Sequence, residues 1–161
     1  TPESGEPWSA FASFEELLTR ASGTGTTWTI QFHTPTCFKV GDALIPLPIP
    51  RLCVQSWLRS WEEYSPVSLL PNPLERRHFL EVVEGTVSVT YTRLQLTYQD
   101  YSFDGTQTRE IGFVGICRFL ANPKRLAPSH LKILSALVGY SFFCGTGRKT
   151  TMGMGITKPI K

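Results

Sequence analysis

Between Trp28 and Ile160 the spacing of apolar residues switches between a strand-like and a helical period in a definite order, and that order restricts the fold more than any single motif does. In WTIQFH, residues 28–33, Trp28, Ile30 and Phe32 alternate with Thr29, Gln31 and His33, as in a strand buried on one side. From Arg51 to Tyr64 the apolar positions Val54, Trp57, Leu58 and Trp61 recur at helical spacing, which leaves Glu62 and Glu63 outside. TVSVTYT places Val87, Val89 and Tyr91 on one face. LQLTY adds Leu94, Leu96 and Tyr98 to that face only if the phase slips by one, which predicts a bulge near Arg93. A turn at Asp104 and Gly105 leads into REIGFVGICRFLA, so these runs read as a hairpin with a loop of several residues. Pro128 to Phe143 reads as a second helix with Pro128 in its permitted first turn, and GITKPI as a last short strand. The intervening TPTCFKVGDALIPLPIP and residues 65–78 are punctuated by proline and read as loops.

The order strand, helix, strand, strand, helix, strand is the split βαβ or ferredoxin-like (βαββαβ) arrangement of the α+β class. Two helices cover one face of a four-stranded antiparallel sheet, and the other face is free for a partner. Upstream, AFASFEELLTRA predicts a short lead-in helix starting at Ser13, because Ser13 and Glu16 form a capping box and Phe14, Leu17 and Leu18 share a face. The division is therefore 1–26 as linker and lead-in helix, and 27–161 as the domain. At 161 residues with 41% hydrophobic content the chain suits one core rather than two. The opening TPESGEPWS has neither Met nor a secretory pattern and reads as part of a longer protein. No apolar run reaches the ~18 residues of a membrane span; the longest, Leu131 to Cys144, is broken by Lys132, Ser135 and Ser141.

Cys37, Cys53, Cys117 and Cys144 contain no CxxC pair, and His33, His78 and His130 do not cluster with them, which argues against zinc. Free cysteines in an ordinary apolar composition suit a reducing cytoplasm. The net charge of +3 is unevenly divided. Residues 1–110 carry 8 Lys+Arg against 13 Asp+Glu, a balance of −5, whereas 111–161 carry 8 Lys+Arg and no carboxylate. Such a segment attracts polyanions and cannot supply the carboxylates of a magnesium site.

Within it, GTGRKTTMGMG places two Gly-X-Gly pairs around five residues that include Arg148 and Lys149. It is not a nucleotide-triphosphate loop, because Gly147 is followed by Arg148 before Lys149, and Thr150 stands where GxGxxG needs its third glycine. Both of those loops also lead into a helix, whereas this one leaves a helix and would offer phosphate the wrong end of the dipole. What remains is a connection whose backbone can approach other backbone closely, whose exposed N–H groups can donate to phosphate oxygens, and whose Arg148 and Lys149 add charge.

This loop fits the pattern Gly-small-Gly, five residues, Gly-hydrophobic-Gly near a C-terminus, and so resembles the hallmark of the RAMP superfamily. It is similar above all to the CRISPR endoribonucleases that cut precursor CRISPR RNA within its repeats. FEELL, FHTPTCFK, PLPIP, SWLRSW and GFVG look similar too, so that the resemblance spans Phe14 to Gly155. It implies the second of two ferredoxin-like domains, a preceding domain of the same protein, and repeat RNA as partner. The implied RNA contacts are Gly145, Gly147, Arg148, Lys149, Thr150, Thr151, Gly153 and Gly155. It also implies metal-independent cleavage, in which the RNA 2′-hydroxyl attacks the adjacent phosphate, with no cofactor. The family's catalytic histidine generally belongs to the first domain, so no residue here inherits that role.

His33, opposite Ile30 and Phe32, is expected on the open face of the sheet, with Lys39 nearby in sequence as a second RNA-facing candidate. Trp57 and Trp61 are expected in the core, and Glu15, Glu16, Glu62 and Glu63 on solvated helix faces. One alternative is a non-catalytic subunit of the same superfamily holding CRISPR RNA in an effector complex. Another is an RNA-recognition-motif domain, for which GFVG supplies half of the central-strand motif while Glu110 and Ile111 replace its glycine and aromatic.

Overall fold

The computed structural model describes residues 11–160; the opening TPESGEPWSA and Lys161 lie outside them. In chain order the elements are α1 (Phe14–Arg20), β1 (Thr27–Thr36), β2 (Phe38–Val40), β3 (Ala43–Ile45), α2 (Pro50–Tyr64), α3 (Pro73–Thr86), β4 (Val87–Phe103), β5 (Thr106–Ala121), α4 (Pro128–Cys144) and β6 (Thr157–Ile160). The order β4-β5-β1-β6, antiparallel at every pairing, makes the four-stranded ferredoxin-like sheet.

Local sequence explains most boundaries. Ser13 caps α1, accepting from the Glu16 N–H while the Glu16 carboxylate accepts from the Ser13 N–H, the reciprocal box expected. Pro50 and Pro128 occupy the first turns of α2 and α4. The core lies between sheet and helices: Ile30, Phe32, Phe113, Cys117 and Phe119 from the strands meet Val54, Trp57, Trp61, Leu134 and Leu137 from α2 and α4. Phe14 of α1 closes one end, its ring 4.9 Å from Trp61 and 5.4 Å from Tyr140. All four cysteines are free. Among the described residues, no helix is long and apolar enough to cross a membrane.

Four expectations are corrected. Residues 65–78 are not all loop, because Asn72 accepts from the Leu74 N–H and Pro73 starts α3; the prolines that suggested a loop include a helix start. The segment after β1 is not all loop either, since β2 and β3 pair as a small hairpin. The hairpin of β4 and β5 closes in two residues, with Phe103 opposite Thr106, and Asp104 and Gly105 both at positive φ, the twist-compatible turn. The bulge lies between Val89 and Tyr91 rather than near Arg93. The slip therefore comes early enough to take Tyr91 off the apolar face and set it opposite Arg118, whose guanidinium stands 5.7 Å from the ring centre.

Candidate nucleic-acid interface

The loop from Gly145 to Gly155 leaves α4, turns through one short 3₁₀ turn at Thr150–Met152, and enters β6. Its shape follows from close backbone approach. At Gly147, φ is +85° and any Cβ would overlap the Cys37 carbonyl; at Gly155, φ is +71° and a Cβ would overlap the Thr146 carbonyl. The two arms are then joined by Thr146 N–H to Gly155 O at 2.8 Å and by the hydroxyls of Thr146 and Thr157 at 2.7 Å. Trp57 of α2 donates its indole N–H to Thr146 Oγ1 at 2.8 Å, and Ser56 Oγ accepts from Gly147 N at 2.9 Å.

These bonds narrow the expectation that exposed N–H groups of the loop donate to phosphate. Arg148 N donates to Cys37 O, Met154 N to Lys149 O, Gly155 N to Pro35 O and Ile156 N to Thr34 Oγ1, so most of the loop's amides serve the fold. The glycines are frame, and what the loop presents is side chains.

Arg148 and Lys149 are brought together on Glu110 of β5: Arg148 Nη1 lies 2.9 Å from Glu110 Oε2, and Lys149 Nζ donates to Glu110 Oε1. The Glu110 side chain is 8% exposed, those of Arg148 and Lys149 28% and 26%. Lys149 takes a left-handed conformation, φ +57°, and its ammonium stands 5.9 Å from the Tyr101 ring centre. Thr151 and Gly153 are exposed at the loop tip, Thr150 half-buried, and Gly145 caps α4. The positive loop thus has a buried counter-charge that sequence reasoning missed. The signal was available, since Glu110 is the last acid before the acid-free segment and directly precedes the apolar run that starts at Ile111.

The two outlying candidates go to different places. Lys39 lies in β2, exposed and 3.9 Å from Asp42, and lines a groove of about 1060 Å³ that Gly147 and Arg148 also line. His33 lies in β1 away from that groove, on the side opposite Ile30 and Phe32; burial holds its imidazole below the ordinary 6.5, and the charge of Lys158 lowers it further. On that open face, register aligns Arg93, Ile116, Gln31 and Lys158 in one row, and Tyr91, Arg118, Thr29 and Ile160 in the next. Neither row contains a carboxylate. Among the described residues, no group of three or more His, Cys, Asp or Glu could hold a metal ion.

Glu62 also departs from expectation. Its carboxylate is not solvated: it accepts from Leu69 N and Leu70 N at 2.8 and 3.1 Å and pairs with Arg76 at 3.2 Å. Phe113, the aromatic of the GFVG run, is fully buried against Phe32, ring centres 4.8 Å apart, so it offers no face to a base.

The family described as CRISPR-associated endoribonuclease Cas6 matches residues 30–157, from the first core strand through the glycine loop into β6. The chain belongs to that family. Among solved structures, the Cas6 domain is similar to Thermus thermophilus Cas6 (TTHB231) in a product complex, at 30% identity and TM-score 0.77, over 96% of this chain and 57% of that one. Thermus thermophilus Cas6 (TTHB231) by itself matches at 29% identity and TM-score 0.77, over 92% and 58%. A Cas6 (TTHA0078) substrate mimic complex matches at 25% identity and TM-score 0.71, over 98% and 62%. The Cas6 chain therefore spans less than two-thirds of the length of these relatives. Comparison with curated protein sequences gives no match.

Proposed function

We propose that this chain is the RNA-binding second half of a metal-independent CRISPR endoribonuclease that cleaves precursor CRISPR RNA within its repeats. In this reading 1–26 is linker and lead-in helix, 27–161 is the C-terminal ferredoxin-like domain, and a preceding ferredoxin-like domain supplies the general base. The observation that carries the reading is the glycine loop: a rigid frame, tied to Trp57, Ser56 and Cys37, that holds two cations at one end of the sheet. A fixed pair of cations suits a ribose-phosphate backbone, because register along the strand then follows from geometry rather than from base identity.

Gly145, Gly147, Gly153 and Gly155 shape the contact, Arg148 and Lys149 meet phosphate, and Thr150 and Thr151 border it. Lys39 extends the positive track along the groove it shares with Arg148. His33, beside the cationic rows of the open sheet face, is a second RNA-facing position. Membership of the processing family favours this reading over a non-catalytic effector subunit, and the buried Phe113 disfavours base stacking on the central strand.

The test is repeat-RNA binding by the full-length protein and its R148A/K149A variant across a salt titration. Lower affinity and a salt dependence flatter by roughly one unit or more are expected, since fewer counterions are displaced. Unchanged binding would remove the loop from the interface. Cleavage of repeat RNA by the full-length protein in excess chelator, with none by residues 1–161 alone, would support the metal-independent, two-domain mechanism.

A further inference from the structure

We propose that Glu110 is a positioning residue that holds Arg148 and Lys149 for RNA and makes their contact selective. This rests on the assignment of the glycine loop to RNA binding and names a residue on a different element as the one that sets its cations.

Three observations lead to it. Glu110 is the one acidic side chain that both loop cations reach, one on each carboxylate oxygen, among the described residues. It is 8% exposed and projects from β5, held in register opposite Gln99 of β4, whereas its partners are long, flexible side chains on a loop. It also stands on the strand that pairs with β4, whose Tyr101 ring faces the Lys149 ammonium at 5.9 Å. The carboxylate and the ring both meet the Lys149 ammonium.

The consequence concerns specificity more than affinity. Two cations and one carboxylate leave the cluster a net charge of +1. A phosphate can take the cations from Glu110 only where its oxygens replace the carboxylate's bonds in nearly the same geometry, and a phosphate arriving elsewhere meets a negative neighbour. Generic single strands are thereby penalised, and a strand whose backbone is fixed by a folded repeat is not.

The experiment compares full-length wild type, E110Q, R148A/K149A and the triple variant for binding to folded repeat RNA and to polyuridine of equal length, over a potassium chloride titration. E110Q is expected to bind polyuridine about five-fold tighter at moderate salt, with a slope steeper by roughly 0.7, the effect of one cation released from its counter-charge. The ratio of repeat to polyuridine affinity falls accordingly, and in the R148A/K149A background E110Q changes neither quantity. E110Q with wild-type slope and ratio would overturn the proposal, as would an effect that persists without the two cations. If R148A/K149A by itself leaves affinity and slope unchanged, the loop assignment fails, and this inference with it. Should E110Q lose its folded circular dichroism, E110D, which draws the carboxylate back by one methylene, is expected to move slope and ratio in the same direction; wild-type values for it would equally overturn the proposal.

Discussion

Trp57 and Thr146, 89 positions apart, meet through a 2.8 Å bond from the indole N–H to the threonine hydroxyl, with both side chains fully buried. The same hydroxyl lies 2.7 Å from Thr157 Oγ1, which in turn donates to Gly155 O. One chain of bonds thus runs from the middle of α2 through the glycine loop to the start of β6. The loop is held by the core.

Breaking that chain at Thr146 is expected to be costly. T146V keeps shape but leaves the buried Trp57 N–H without an acceptor, a loss of about 1–3 kcal/mol in urea unfolding. W57F removes the donor, so T146V should cost less in a W57F background than alone. Equal costs in both backgrounds would show that the bond does not couple the two sites.

The glycines should separate by neighbour rather than by position in the motif. G153A meets open space at φ +85° and is expected to lose about 1–2 kcal/mol, the ordinary cost of a left-handed residue with a Cβ. G147A and G155A add a collision with backbone and should lose about 3 kcal/mol or more. A G155A variant no less stable than G153A, measured by denaturant midpoint, would contradict the packing described.

Glu62 carries the segment between α2 and α3. Its carboxylate accepts from two backbone amides and from Ser68, and E62A leaves those amides without an acceptor. We expect a loss of about 2–3 kcal/mol and new proteolytic cleavage within 65–72, because hydrogen bonds to a buried carboxylate are among the stronger ones. Limited proteolysis with an unchanged cleavage pattern would count against this anchor.

Two histidines set a pH dependence. Burial lowers both His33 and His130 below the ordinary 6.5, and the charges of Lys158 and His78 respectively add to it. The unfolded chain therefore takes up protons first as pH falls. Their contribution to stability is full above about pH 6.5 and is lost as pH drops from there through the folded values. Urea unfolding should show stability falling below about pH 6.5, and H33N with H130F, which keeps a ring against Phe79, should flatten that fall. A double variant with the wild-type slope would place the proton uptake elsewhere.

Much of the fold was legible because it depends on patterns within a few residues of each other. The Ser13 and Glu16 box, the alternation at Ile30 and Phe32, the stripe of Val54, Trp57, Leu58 and Trp61, and Pro128 at a helix start all act locally and appear as expected. Asn72 and Pro73 act locally too. They read as loop because proline at the first turn of a helix has the same composition as proline in a loop.

The sequence alone determined the order of the four sheet strands and of α2 and α4 among them, the core stripe and the presence of a basic, glycine-rich connection, since each is encoded in the spacing of near neighbours. Only tertiary structure decided what that connection does with its amides and its charges. Trp57, Cys37 and Glu110 lie 38 or more positions from the loop residues they hold, and no local period records which distant carboxylate or carbonyl the folded chain will bring to Arg148. A charge read along the chain counts residues, whereas a charge in the folded protein is whatever its buried neighbours leave uncompensated.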